Sequence, residues 1–300
     1  MIDPSVRAVL RSKYSIRRFF AIFGALLLIL LLLLWLITTS SMPASLRDAS
    51  TNFLGNFAAT VAIFLCTYAF YIFVTSPELR NAEVIPLRNV EIGDEIIDLP
   101  QGASDYWFWG RTGSYFRTAV LPRLDSLARA ERKRIKLRII VPDPDREGSA
   151  ELYKSFKKGL GEDADNNTLA ANVILTIATS VATVLRNPYL SIEIGLCASV
   201  PVLRFDISTS GVLITRDAKD LPAILTNSGN PFFEMFKDAL ENELSQSRKI
   251  RWDDSVGPPL EGQELDPEFL DSISGLPRVN QEILKAASAI QAGASHRYAG

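Results

Sequence analysis

The sequence predicts an α/β protein in which an N-terminal two-helix transmembrane hairpin precedes a soluble α/β domain. Three observations carry that prediction. Phe19–Thr39 and Phe53–Val74 are uncharged apolar runs, each long enough as a helix to cross ~30 Å of hydrocarbon. Past them, strand-like and helix-like periodicities alternate, the pattern of parallel strands joined by crossover helices. With 22% charged residues and a net charge of -2, the chain lacks the broad positive field that a nucleic-acid polymer needs.

Residues 1–18 form a basic segment, with Arg7, Arg11, Lys13, Arg17 and Arg18 against Asp3. Residues 19–75 hold the two spans, and the Ser40–Asn52 loop between them has only Arg47, offset by Asp48. The positive-inside rule then puts both termini in the cytoplasm, as a multi-pass protein of the inner membrane. The basic segment suits anionic lipid headgroups, so the bilayer itself is an expected partner. A cleaved signal peptide is the competing reading; the first run is longer than an ordinary signal core, and a second span follows at once.

On the second span Asn52, Asn56, Thr60, Thr67 and Tyr71 recur at helical spacing, beside Gly55 and Ala59. Such a polar stripe packs on the first span, forms a seam between subunits of a homo-oligomer, or lines a pore. Neither span contains a charge, so no transporter or proton relay is expected.

Residues 76–103 read as a linker with short extended pieces, punctuated by Pro77, Pro86 and Pro100. Residues 104–250 read as the soluble domain. Tyr106–Trp109 is a strand, a glycine turn follows, and Phe116, Val120, Leu121, Leu124 and Leu127 give a helical period. Ile135–Val141 is the next strand, expected parallel to the first through a right-handed crossover. Glu147–Lys158 reads as a charged helix. Thr168–Leu185 runs 18 residues without a charge; its Ala and Thr content and its position between strands favour a buried helix over a third span. Leu190–Cys197 is a strand, Val202–Ile207 and Val212–Thr215 make a hairpin, and Pro231–Gln246 is an amphipathic helix. Residues 251–300 form a tail with a weak helix at Val279–Ala292.

Two loops fall where strand carboxyl ends meet helices, the usual ligand position of an open α/β sheet. Gly110-Arg111-Thr112-Gly113-Ser114 can cradle an anion with backbone N–H groups, aided by Arg111 and Arg117. In the second loop Asp143 and Asp145 offer acceptors for hydroxyls, and Arg146 adds a cation. Tyr115 or Phe116 can stack on a base. A glycine turn before a helix is also often only a turn. Arg204 and Asp206 share one face of a strand and read as a surface ion pair of little worth. Cys66 and Cys197 give no disulfide framework or metal motif, the one histidine is His296, and no cofactor is expected.

The segments WFWGRTGS, IKLRIIVPDP, LSIEIGLC and VLRFDISTSGVLITR, in that order, resemble the phospholipase D-like fold across Ser104–Arg248. That family's catalytic signature is His-x-Lys with an Asp a few residues on. Here His296 is followed by Arg297 and Tyr298. The resemblance implies a degenerate member that binds rather than hydrolyses, since the histidine nucleophile is missing. Joined to two spans, such a domain resembles bacterial antiviral membrane effectors, whose cytoplasmic domain reads a nucleotide second messenger before the spans cluster and breach the membrane. The expected partner is therefore a phosphate-bearing small molecule, with no nucleic-acid polymer. The alternatives are a membrane-anchored phosphodiesterase or lipid-acting enzyme using Asp143, Asp145 or Glu193, and a constitutive scaffold.

Overall fold

The computed structural model describes residues 13–40, 43–74, 84–216, 221–260 and 262–297. Expectations for residues 1–12, for residues 75–83 and for the side chains of Lys13, Arg17, Arg18, Tyr71 and His296 lie outside the described ones. The chain divides into two compact units, Met1–Arg80 and Asn81–Gly300.

The first unit is an antiparallel pair, α1 (Lys13–Thr39) and α2 (Ala44–Val74). Leu54, Ala58, Val61 and Leu65 recur at four- and three-residue steps, so they line one face of α2, and they pack against Phe23, Leu26, Leu27 and Leu30. Phe19 lies 4.5 Å from Tyr68 and Phe23 lies 6.4 Å from Phe64 by ring centroids, which sets the offset of the pair. The expected Ser40–Asn52 loop is much shorter. Helix α2 begins at Ala44 behind Pro43, whose carbonyl accepts from Leu46 and Arg47. Proline lacks an N–H that a helix start leaves unused, and Ala, Leu and Arg here are good helix formers.

The second unit is built on an eight-stranded mixed sheet. The first elements are β1 (Ile85–Leu87), α3 (Asn89–Asp98), β2 (Asp105–Trp109), a π-helical turn (Phe116–Val120), α4 (Leu121–Glu131) and β3 (Ile135–Pro142). Then come α5 (Ser149–Gly159), α6 (Thr168–Arg186), β4 (Leu190–Cys197), the hairpin β5 (Arg204–Ser208) and β6 (Gly211–Thr215), and β7 (Ala223–Asn227). The remainder is α7 (Phe232–Gln246), β8 (Arg248–Lys249), β9 (Arg251–Trp252), α8 (Pro267–Asp271), β10 (Ile273–Ser274) and α9 (Gln281–Arg297). The strand order is β1-β7-β6-β5-β2-β3-β4-β8. Strands β2, β3 and β4 are parallel, as the strand–helix–strand pattern predicts, and the rest pair antiparallel.

Alternation along these strands gives the sheet two buried faces. Tyr106, Phe108, Leu137, Ile139, Ile194 and Leu196 meet the helices on one face. Trp107, Ile140, Cys197 and Ile207 meet Phe233, Leu240 and Leu244 of α7 on the other. Helix α6 is the centre of the first face: thirteen of its nineteen residues are buried. By length and composition alone it counts, with α1 and α2, among three helices of the described residues long and apolar enough to cross a membrane.

Two segments differ from their reading as linker and tail. Residues 84–98 hold β1 and α3, because Ile92, Ile96 and Leu99 recur on one helical face against the core. Pro86 is tolerated because β1 is an edge strand. Residues 251–297 add Phe269, Leu270, Ile273, Ile283 and Ala287 to the same core, and α9 packs on α6. Strand β7 had no distinct signal: AILTN is short and only half alternating.

Candidate functional site

The glycine turn is riveted to its neighbours. The Gly110 N–H donates to the Ile140 carbonyl at 3.1 Å, and a Cβ at Gly110 would meet the Phe108 ring at 2.6 Å. Gly113 has φ +68°, where side chains are strained, and a Cβ there would lie 2.6 Å from Thr176 Cγ2. The Thr176 hydroxyl donates to the Thr112 carbonyl at 2.7 Å. Ser114 is half-buried, and its carbonyl accepts from Thr118.

Arg111 is 5% exposed, donates to the Pro201 and Val202 carbonyls, and stacks 3.7 Å from the Phe156 ring. Arg117 is 6% exposed and donates to the Asn172 carbonyl and, at 2.8 Å, to the Thr176 hydroxyl. Phe116 is fully buried and stacked on Phe108, so no base can reach it.

The second loop is engaged elsewhere. Arg248 grips Asp143 through two N–H groups at 2.9 and 2.7 Å and reaches Asp145 at 3.4 Å. Asp145 also accepts from the Arg278 N–H, and Arg248 donates to the Gly275 carbonyl at 2.6 Å. These carboxylates clamp the 275–278 segment onto the β3–α5 connection. Arg146 is exposed. The two loops thus attach to different neighbours, the first to α6 and the β4–β5 connection, the second to Arg248 and Arg278.

Arg204 and Asp206 are not on the surface. Asp206 has no exposed area, and Arg204 meets it through two guanidinium N–H groups at 2.6 and 2.9 Å. Tyr106 donates to the same carboxylate at 2.8 Å. The guanidinium lies 5.2 Å from the Phe108 and Tyr115 ring centroids. Burial and then the Asp206 charge push the Tyr106 phenol well above its ordinary range. Burial alone would lower Arg204, but the charge and hydrogen bonds of Asp206 outweigh it and leave it raised.

Between α4 and α6 a cavity of about 310 Å³ opens. Arg117, Leu121, Pro122, Asp125 and Arg129 line it from the π turn and α4. Thr179, Thr183 and Arg186 line it from α6, and Glu264 closes it. Arg117 is the one predicted ligand residue among these. The π turn widens the helix at that position, a distortion frequent at functional sites. The other lining residues carry no signal in the sequence, because α4, α6 and Glu264 come together only in the folded chain.

In the first unit, Asn52, Asn56, Thr60 and Thr67 are exposed on the side of α2 away from the α1 seam. Thr60 donates to the Asn56 carbonyl within its own helix. The aromatic offset levels Asn56 with Leu31, near the middle of the apolar run Phe19–Thr39. Packing on α1 uses Leu54, Ala58, Val61 and Leu65 instead of the polar stripe. Among the described residues, no group of three or more His, Cys, Asp and Glu side chains is placed to hold a metal.

No family model matches the chain, and no curated protein matches it. One solved structure that aligns is TrmBL2, an archaeal chromatin protein described as having a novel mode of DNA binding. It is 10% identical, with a TM-score of 0.33, over 68% of this chain and 66% of that one. At that score the likeness carries no argument about fold or function.

Proposed function

We propose that this protein is a two-span membrane effector whose copies assemble through α2 and whose soluble α/β unit senses a phosphate-bearing ligand. The observation that carries the reading is the exposed stripe of Asn52, Asn56, Thr60 and Thr67 on a helix otherwise suited to lipid. Thr60 bonds within its own helix, but the Asn52 and Asn56 amides lie off the α1 seam. A polar group left unsatisfied in hydrocarbon costs several kcal/mol, so the stripe calls for another helix. Helix α1 offers leucines in return, whereas a second copy of α2 offers a matching stripe.

The soluble unit holds, in order, the elements on which the phospholipase D-like resemblance rests: β2 with its glycine turn, β3, β4 and the β5–β6 hairpin. With no His-x-Lys in the chain, that reading gives a binding domain, not a hydrolase. Ligand binding can drive assembly if it favours the assembled state. The combination fits an inner-membrane effector of antiviral type, with both termini cytoplasmic. Asn56→Leu tests the assembly half. It should leave the soluble unit's melting temperature unchanged while abolishing oligomers in membranes and any growth arrest on expression. Wild-type assembly in this variant would refute the reading.

A further inference from the structure

We propose that the cavity between α4 and α6 binds a small phosphate monoester that also carries hydroxyl groups. This gives the ligand-sensing reading a site, and rests on that reading for its meaning in the cell. Three guanidinium groups, Arg117, Arg129 and Arg186, border the cavity against two carboxylates, Asp125 and Glu264, leaving one positive charge in excess.

The groups are held in place before any ligand arrives. Asp125 accepts from Arg129 and, at 2.8 Å, from the Asn187 amide. Arg129 also donates to the Arg186 carbonyl at 3.0 Å. Arg186 donates to the Pro259 carbonyl and to Glu264, which also accepts from the Gly262 N–H and the Gln291 amide. Arg117 is fixed to α6 through Thr176. Fixed forks lower the ordering cost of binding.

Guanidinium groups match phosphate oxygens in pairs, which favours a phosphate over a plain alcohol or sugar. The carboxylates are acceptors and suit ligand hydroxyls, while Leu121 and Pro122 give an apolar wall. A volume of about 310 Å³ stands at the small end of the ~300–1,000 Å³ range of ligand pockets. That admits a sugar phosphate or a mononucleotide and excludes a polymer. The same phosphate chemistry occurs on a lipid headgroup, so the test must separate the two sources.

Full-length protein in detergent is titrated with ribose 5-phosphate, with ribose at matched chloride as the control, and followed by thermal shift and calorimetry. The wild type should bind the phosphate saturably and ignore ribose. Thr179→Leu fills the cavity without removing a charge, and Arg129→Gln removes one rim cation; each should weaken binding at least about tenfold. Buried Arg117 is left intact so that folding is not the variable. No saturable binding by the wild type, or unchanged affinity in Thr179→Leu, overturns the proposal. A response only to phosphatidylglycerol vesicles, lost in Thr179→Leu, overturns the soluble ligand in favour of a headgroup. Binding without any change in membrane assembly would keep the site and sink the sensor reading, whereas assembly without binding would sink the site and leave only the assembly through α2 standing.

Discussion

Asp206 carries a carboxylate into a position with no exposed area, and Arg204 and Tyr106 both bond to it there. Breaking a buried pair strands the remaining charge, so Asp206→Asn should cost about 3–5 kcal/mol of unfolding free energy. Tyr106→Phe removes one hydrogen bond to a charged group and should cost ~1.5–3 kcal/mol. Guanidinium denaturation in detergent, followed by tryptophan fluorescence, measures both. A second residue effect depends on pH. The Lys249 ammonium, 2.8 Å away, holds Glu193 below its ordinary value of 4.5, against a smaller opposing effect of burial. A depressed acid contributes stability that is present above the unfolded-state value and lost as pH falls through the folded one. Lys249→Met should therefore flatten the acid limb of melting temperature against pH. Both side chains are a third or more exposed, so the change is small. In the sequence Arg204 and Asp206 visibly share a strand face. Their depth was not legible, because β5 is a short segment buried by its sheet neighbours and Tyr106 lies a hundred residues upstream.

At the scale of the element, α6 shows how far composition reaches. Its apolar run is long enough for a bilayer, yet its Ala and Thr residues let strands and helices approach closely, and most of it is buried in the core. The hydrophobic strands β2, β3 and β4 were legible for the same reason: each is a short apolar run between turn residues. Short elements were not. Strand β1 and α3 lie within the stretch punctuated by Pro77, Pro86 and Pro100, and β1 depends on pairing with β7, far along the chain. The glycine turn was found in the sequence, but its neighbour was not: Thr176 packs against Gly113 and bonds the Thr112 carbonyl from α6, far along the chain. Gly113→Ala should accordingly lower the melting temperature by several degrees, since it adds a strained φ and a contact at 2.6 Å. A variant as stable as the wild type would mean that the turn is looser than its geometry implies.

For the whole molecule, an apolar hairpin is joined to an α/β unit with a charged cavity, and the proposed assembly brings copies together along α2. Two long apolar helices follow from residue type, which is why the hairpin was plain in the sequence. The direction of the polar stripe was not, because two faces of α2 compete for α1 and side-chain packing decides between them. Leu54, Ala58, Val61 and Leu65 won that contact, leaving Asn56 outward near mid-span. The most direct measurement is disulfide cross-linking in native membranes, with Cys66 replaced by alanine. Asn56→Cys should form a covalent dimer on oxidation, while Ala58→Cys, buried against α1, should remain monomeric. Efficient dimers through Ala58→Cys, with Asn56→Cys monomeric, would contradict the account.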